Sequence, residues 1–298
     1  MTRTKHIILC ALAALLATPG WSQELQLASK TIEQTFPYQH STEVNIEGQK
    51  AEVYIETWER EQVAVRLVLE SLHPDRQQAA AGLERMAYQL EQIQGKVYVR
   101  NYAKGGGSSP DGPSLSAKYF IRVPADCPVY LKNHFGSASI SNLNSRLQVN
   151  SRYTQIGLEN VQGVIDVSTR FGDLVGRQLD GTMTVNARRS NIDLHEIRGT
   201  YDITSQYGSI RVFTDPNLIR LNIDATRSDV FLYSAQPEIF SYDIEANHAK
   251  VRTPEWMRFK SLPSTEEASK SSYVPNREYY ARISVKINFG ELFVEKLK

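Results

Sequence analysis

The feature that most constrains this chain is a repeat. HFGSASI, RYTQIGL, RFGDLVG and QYGSIRV each set an aromatic beside a small residue, ahead of a short apolar run. Aligned on that position, Phe135, Tyr153, Phe171, Arg189 and Tyr207 stand 18 residues apart, and Arg227 and His248 follow after steps of 20 and 21. The longer steps predict short insertions in a loop.

Reading down the aligned rows gives columns of one character. Leu131, Val149, Val167, Val185, Ile203, Ile223 and Ile244 form the first. Val129, Leu147, Ile165, Met183, Tyr201, Leu221 and Tyr242 form the second, and the polar Gln148, Asp166, Thr184, Asp202, Asn222 and Asp243 stand between them. Alternation of apolar and polar at period two marks a strand with one buried face. After the turn a second strand obeys the same rule through Ile156, Leu174, Ile192, Ile210, Val230 and Val251. Two short strands cannot bury an apolar face within one row, but rows laid in parallel on their own copies can. The expectation is an all-β chain forming a parallel β-solenoid, or β-helix, with coils of about 18 residues. The small residue after each aromatic (Gly136, Thr154, Gly172, Ser190, Gly208, Ser228, Ala249) then marks a tight corner. The corner aromatics stack from row to row as architecture.

The flanks differ from the coils. Strands run up to and away from a turn at Trp58–Gln62, and HPDRQQAAAGLERM predicts one short helix capped by Asp75. YQLEQIQGKVYVRNY predicts a hairpin turning at Gln94-Gly95. The glycine-rich AKGGGSSPDGP is a flexible loop without the GxxxxGK[ST] spacing of a phosphate loop. Downstream, Ser261 to Ser272 reads as polar and mobile, and ISVKINFGELFVEKL repeats the corner at Phe289-Gly290, as a terminal coil that covers an open end. The first residues combine basic Arg3 and Lys5, an apolar run from Ile7 to Ala17 and small residues at Gly20 and Ser22. That is the pattern of a secretory signal peptide cut after Ser22, and the run is too short for a membrane span. The expected divisions are 1–22 signal peptide, 23–128 a β-rich part with helix and hairpin, 129–254 the coils, and 255–298 a polar linker with a capping coil.

Charge is nearly balanced, with 34 Lys and Arg against 33 Asp and Glu, which argues against nucleic acid as a partner. After removal of the leader only Cys127 is left, so no intrachain disulfide can form. Burial and backbone pairing must hold the fold together.

IRVPADCPVYLKNHFGSASI runs an extended RVP strand through an acidic turn into a K-N-x-x-G corner. It resembles a bacterial family of putative adhesins built from β-strand repeats, and VYIETWEREQVAV resembles the G-W-D strand–turn–strand found near that family's start. The likeness spans Thr42 to Leu297 and is broken at Arg189 and Arg227, where the corner aromatic is lost. It implies an exported cell-envelope protein with a β-solenoid fold and unknown function, and it brings no catalytic residues.

A search for chemistry finds little at fixed spacing. Asp202, Asp224, Asp243 and Glu245 project outward as a loose acidic column: a solvated face, a calcium site, or the paired carboxylates of a polysaccharide-cleaving enzyme. His40, His73, His134, His195 and His248 are scattered without zinc-site spacing, and Cys127 has no evident partner. No catalytic residue, metal or cofactor is expected. Two binding surfaces are. His134, Arg152, Arg170 and Arg188 fall in one column, with Arg189 beside them, as a basic stripe suited to acidic glycans or lipid headgroups. Phe213, Phe231 and Tyr233 sit at outward positions as a sugar platform or partner interface, with Trp256, Phe259 and Tyr273 expected to fold back over them. The chain thus reads as an exported, non-enzymatic envelope β-solenoid, an adhesin or structural binding module that meets a glycan or an envelope protein. The alternatives are a carbohydrate-active solenoid enzyme and a periplasmic docking partner of a membrane signalling complex.

Overall fold

A computed structural model describes residues 24–105, 111–263 and 268–297. The expected signal peptide and residues 106–110 of the glycine-rich loop lie outside the described residues. The described chain is all-β with one α-helix. Its first part holds β1 (Gln26–Pro37), β2 (Glu43–Thr57), β3 (Gln62–His73), α1 (Arg76–Arg85), β4 (Met86–Ile93), β5 (Lys96–Ala103) and β6 (Ser114–Val123). Asp75 caps α1 by accepting the Gln78 amide at 2.9 Å, and Gln94 and Gly95, both at positive φ, turn the β4–β5 hairpin as the sequence predicts.

The repeat region stacks in parallel. β7 (Val129–Ser141) pairs with β8 (Asn144–Glu159), which in turn pairs with β9 (Gln162–Arg170) and β10 (Leu174–Arg177). β11 (Asp180–Arg188) lies on β9, and β12 (Ile192–Gln206) on both β10 and β11, each pair parallel at an offset of 18 residues. From β12 to β13 (Ser209–Thr226) the offset is 18 at Ile192↔Ile210 and 20 at Thr200↔Arg220, so the lengthened row carries its extra residues between Thr214 and Arg220. β14 (Asp229–Ser234) pairs with the start of β13.

Inward columns are sealed. Leu147, Ile165, Met183 and Leu221 are at most 1% exposed, as are Val149 and Val185 in the next column. Each fully buried aliphatic side chain stabilises by roughly 1.5–3 kcal/mol. Tyr201 fits among them because its hydroxyl donates to the Leu179 carbonyl at 2.8 Å.

The corner differs from expectation. The left-handed residue is the one at the aromatic position, including where it is arginine: φ is 63° at Phe135, 54° at Tyr153, 58° at Phe171, 52° at Arg189 and 60° at Tyr207. A side chain there costs roughly 1–2 kcal/mol, and stacking offsets it. Ring centroids are 5.0 Å apart from Phe135 to Tyr153 and 4.8 Å from Tyr153 to Phe171. Arg189 and Arg227 do not interrupt the ladder. Their guanidinium groups lie 5.5 Å from the rings of Phe171 and Tyr207 respectively, a cation over each π face.

The small residue serves close approach between rows. Glycine alternates with a hydroxyl residue: Gly136, Thr154, Gly172, Ser190, Gly208, Ser228. A Cβ on Gly172 would stand 2.0 Å from the Thr154 carbonyl oxygen. On the other side, the Gly172 amide donates to Ser190 Oγ and the Gly208 amide to Ser228 Oγ, each at 3.2 Å. The hydroxyl row thereby satisfies the amide of the glycine row.

Both ends break chain order. β2 slots between the row of β5 and β6 and the row of β7, so that Val44 lies opposite both Val97 and Val129. β3 then adds antiparallel to β6, β1 to β3, and β4 to β5. At the other end lie β15 (Ser241–Asn247), β16 (Lys250–Arg252), β17 (Lys260–Leu262), β18 (Ala268–Tyr273), β19 (Arg282–Asn288) and β20 (Glu291–Lys296). The last two strands, expected to cap the stack, lie inside it. Val285 pairs with Ile223 on one side and Ile244 on the other, and Leu292 with Val230 and Val251. The end is closed instead by β18, antiparallel to β15, and by β17 on β18. The stretch expected to be mobile therefore supplies edge pairing, with 264–267 outside the described residues. Antiparallel strands finish both ends, where a parallel row would leave its backbone unpaired. No helix among the described residues is long and apolar enough to cross a membrane.

Candidate functional site

The 18-residue register fixes the outward columns as firmly as the inward ones. His134 lies opposite Arg152, Arg152 opposite Arg170, and Arg170 opposite Arg188. Neighbouring rows are about 4.8 Å apart. Like charges at that spacing repel by roughly 1 kcal/mol even in water. Sheets relieve such repulsion by placing a carboxylate opposite. Here, among the described residues, no acid pairs with Arg152, Arg170 or Arg188, and all three are exposed. The Arg152 guanidinium lies 5.5 Å from the Tyr153 ring. The nearby Asp173 carboxylate accepts the Asn191 amide at 2.8 Å. Arg189 stands beside the stripe in the corner ladder, between Phe171 and Tyr207.

Toward the amino-terminal end the stripe opens into a hollow of about 280 Å³ whose lining includes Asn45, Glu47, Tyr98, Arg100, Tyr130 and Lys132. An adjoining hollow of about 330 Å³ shares Glu47, Arg100 and Lys132 and reaches His134. The Lys132 ammonium lies 2.7 Å from the Glu47 carboxylate. That hydrogen bond holds the Glu47 carboxyl below the ordinary range, against the opposing pull of burial and with help from Arg100. Sequence reasoning missed this hollow because β5, β2 and β7 are neighbours in space at irregular separations in sequence. The available signal was the shared alternation VYVR, VNIE and VYLK at Val97–Arg100, Val44–Glu47 and Val129–Lys132.

The aromatic surface takes a different form from the one expected. Phe213 stacks on Tyr233 at 4.7 Å and on His195 at 4.2 Å, and Phe231 stacks on Phe293 at 4.9 Å. Arg211 and Arg252 close the two ends of the Phe231–Phe293 pair, 5.9 and 5.2 Å from the rings. Rings stacked along the column turn their edges to solvent, whereas a sugar platform needs a free face. Among the described residues, the side chains expected to cover it pack elsewhere. Phe259 and Tyr273 pack on Tyr242 at 5.8 and 6.2 Å, and Trp256 is 53% exposed with the Lys296 ammonium 5.6 Å from its ring.

The acidic column is interrupted by the intercalated last row. Asn222 and Ser284 stand between Asp202 and Asp243, and Lys286 stands between Asp224 and Glu245. Arg220 lies 3.4 Å from Asp202, Arg282 2.7 Å from Asp243, and Lys270 3.5 Å from Glu245. Among the described residues no group of three or more His, Cys, Asp or Glu is placed to hold a metal ion. Cys127 is buried, and its thiol is pushed up to about 12, chiefly by that burial. It stays protonated and unreactive at neutral pH.

The sequence matches no protein-family model and no curated protein. Solved structures to which the chain is distantly similar include three. A putative adhesin from Bacteroides fragilis NCTC 9343 is 10% identical, with a TM-score of 0.44 over 89% of this chain and 97% of that one. A putative lipid binding protein from Parabacteroides distasonis ATCC 8503 is 12% identical, with a TM-score of 0.45 over 90% and 97%. A putative adhesin from Parabacteroides merdae ATCC 43184 is 9% identical, with a TM-score of 0.42 over 91% and 97%. Likeness this remote leaves both fold and ligand to be read from the chain's own residues.

Proposed function

We propose that this chain is an exported β-solenoid of the bacterial cell envelope that binds an extended acidic glycan along its basic stripe, as an adhesin or structural binding module and not as an enzyme. Support for the solenoid is the parallel pairing of successive rows at an 18-residue offset over sealed inward columns. The observation that carries the binding role is the run of Arg152, Arg170 and Arg188 on successive rows without a carboxylate partner among the described residues. The repulsion stored in such a run is relieved by an anion that lies along it. A line of evenly spaced cations matches a linear polymer with one negative group per sugar better than the plane of headgroups on a bilayer.

The test is titration of alginate oligosaccharides, with neutral dextran as control. The wild-type chain binds alginate and releases it as salt screens the charges, and it ignores dextran. The double variant Arg152→Glu, Arg170→Glu loses about tenfold or more in affinity at an unchanged melting temperature. Equal affinity in variant and wild type would overturn the proposal.

A further inference from the structure

Nearly every other aromatic on an outward sheet position of the rows makes a ring or cation contact. Tyr54 lies on Phe120 at 5.2 Å, Phe213 on Tyr233, and Phe231 on Phe293. Tyr98 and Tyr130 do not. β2 puts Asn45 between them: Asn45 lies opposite Tyr98 on one side and Tyr130 on the other. Neither tyrosine makes a ring or cation–π contact among the described residues, although the Lys96 ammonium is near enough to interact with both, and both line the same hollow. The two rings therefore flank a gap one rung wide, about 9.6 Å between their backbones. A ring placed in that gap over Asn45 would lie about 4.8 Å from each tyrosine, within the range for stacked rings. It is also the spacing at which Tyr153 and Phe171 stack in the corner ladder, 4.8 Å.

The floor and far wall of the gap define what kind of ring it takes. Its floor is Asn45, whose Nδ2 donates to Glu43 Oε1 at 3.3 Å and whose Oδ1 can accept from a hydroxyl; Gln148 and Asn150 line the same hollow one rung further on, beyond Tyr130 and Lys132. Arg100 lines it with no ion pair or hydrogen bond from its guanidinium among the described residues; its charge acts on Glu47, the residue opposite, whose carboxylate is hydrogen-bonded by Lys132. A guanidinium that makes no direct ion pair, beside a ring-wide slot floored by an amide, suits a pyranose bearing a carboxylate. We infer that Tyr98, Asn45 and Tyr130 form a subsite for a single uronic acid unit, its ring between the tyrosines and its carboxylate on Arg100. This rests on the glycan reading of the stripe, to which the hollow is joined through Lys132 and His134.

The experiment compares two anionic polymers, alginate oligosaccharide, which has rings, and inorganic polyphosphate, which has none. Asn45→Tyr fills the missing rung, and because position 45 faces outward the variant folds. Tyr130→Ser removes one wall and serves as the second variant. Both are expected to weaken alginate binding by about tenfold or more while polyphosphate binding stays within twofold of wild type. Alginate affinity unchanged in both variants overturns the subsite and leaves the stripe standing. An equal loss for both polymers also overturns it, since the effect would then be one of charge or fold. If wild type binds neither polymer, the stripe reading fails and the subsite with it.

Discussion

Replacing Gly172 by alanine sets the close approach of rows against the ordinary preference of a strand for a side chain. The new Cβ would stand 2.0 Å from the Thr154 oxygen and 2.7 Å from its carbonyl carbon and amide nitrogen, all backbone atoms that no rotamer change can move. The corner must open by about 1.4 Å to reach ordinary contact. Two bonds span the opening, Ile156 amide to Asp173 carbonyl at 2.8 Å and Asp173 amide to Gln155 Oε1 at 3.2 Å. Losing both costs about 2 kcal/mol, and loosening the Tyr153–Phe171 stack about 1 more. A total near 3 kcal/mol lowers the melting temperature by roughly 6–12 °C for a chain of this size. The control is Gly157→Ala, where the new atom meets nothing nearer than the Ala138 oxygen at 3.9 Å. There alanine is expected to be neutral or to stabilise by roughly 0.5–1 kcal/mol. Thermal unfolding followed by circular dichroism decides it. If Gly172→Ala melts within about 2 °C of wild type, the rows can part at no cost and close approach is not why glycine stands there.

Deleting residues from Arg282 onward removes Ile283, Val285, Ile287, Leu292 and Val294, all at most 3% exposed, and with them roughly 7–15 kcal/mol of burial. That equals a whole domain's stability, so the truncated chain is expected to elute as aggregate in size-exclusion chromatography; a monomer with native circular dichroism would refute the intercalated row. Cys127 should resist iodoacetamide in the native state at about pH 8 and react on unfolding in urea, read by mass mapping of the labelled peptide. Its thiol is raised from an ordinary 9.0 to about 12, so its contribution to stability is complete below 9.0 and fades as pH climbs through 12. Cys127→Ala should accordingly lose less stability than wild type on the alkaline side; equal loss in both would count against the assignment.

Much of the architecture was legible because period two and period 18 are both enforced by burial. A strand that slips by one residue turns every valine of Val149, Val167 and Val185 to water, so those columns had to show in the sequence. The same register puts Arg152, Arg170 and Arg188 side by side. What periodicity could not supply was the order of rows. Nothing in the composition of Ile283 to Val294 says that it lies between rows that are consecutive in sequence, because parallel pairing is nearly indifferent to which copy lies next. That blind spot misplaced the capping coil, invented an acidic column where Ser284 and Lys286 intervene, and hid the Tyr98–Asn45–Tyr130 slot. The corner misled for another reason. A left-handed Phe or Tyr is costly in isolation, and only the neighbouring rings make it tolerable.

The threading of the carboxyl-terminal row also bears on how the molecule comes together. The strands at Leu221–Leu232 and Tyr242–Val251 do not pair with each other, although little more than a turn of chain separates them. Without the segment from Arg282 onward they frame a gap whose two walls are unpaired backbone, and that segment is the keystone. A neighbouring copy carries the identical keystone, so folding at high concentration invites each molecule to lend its tail to the next.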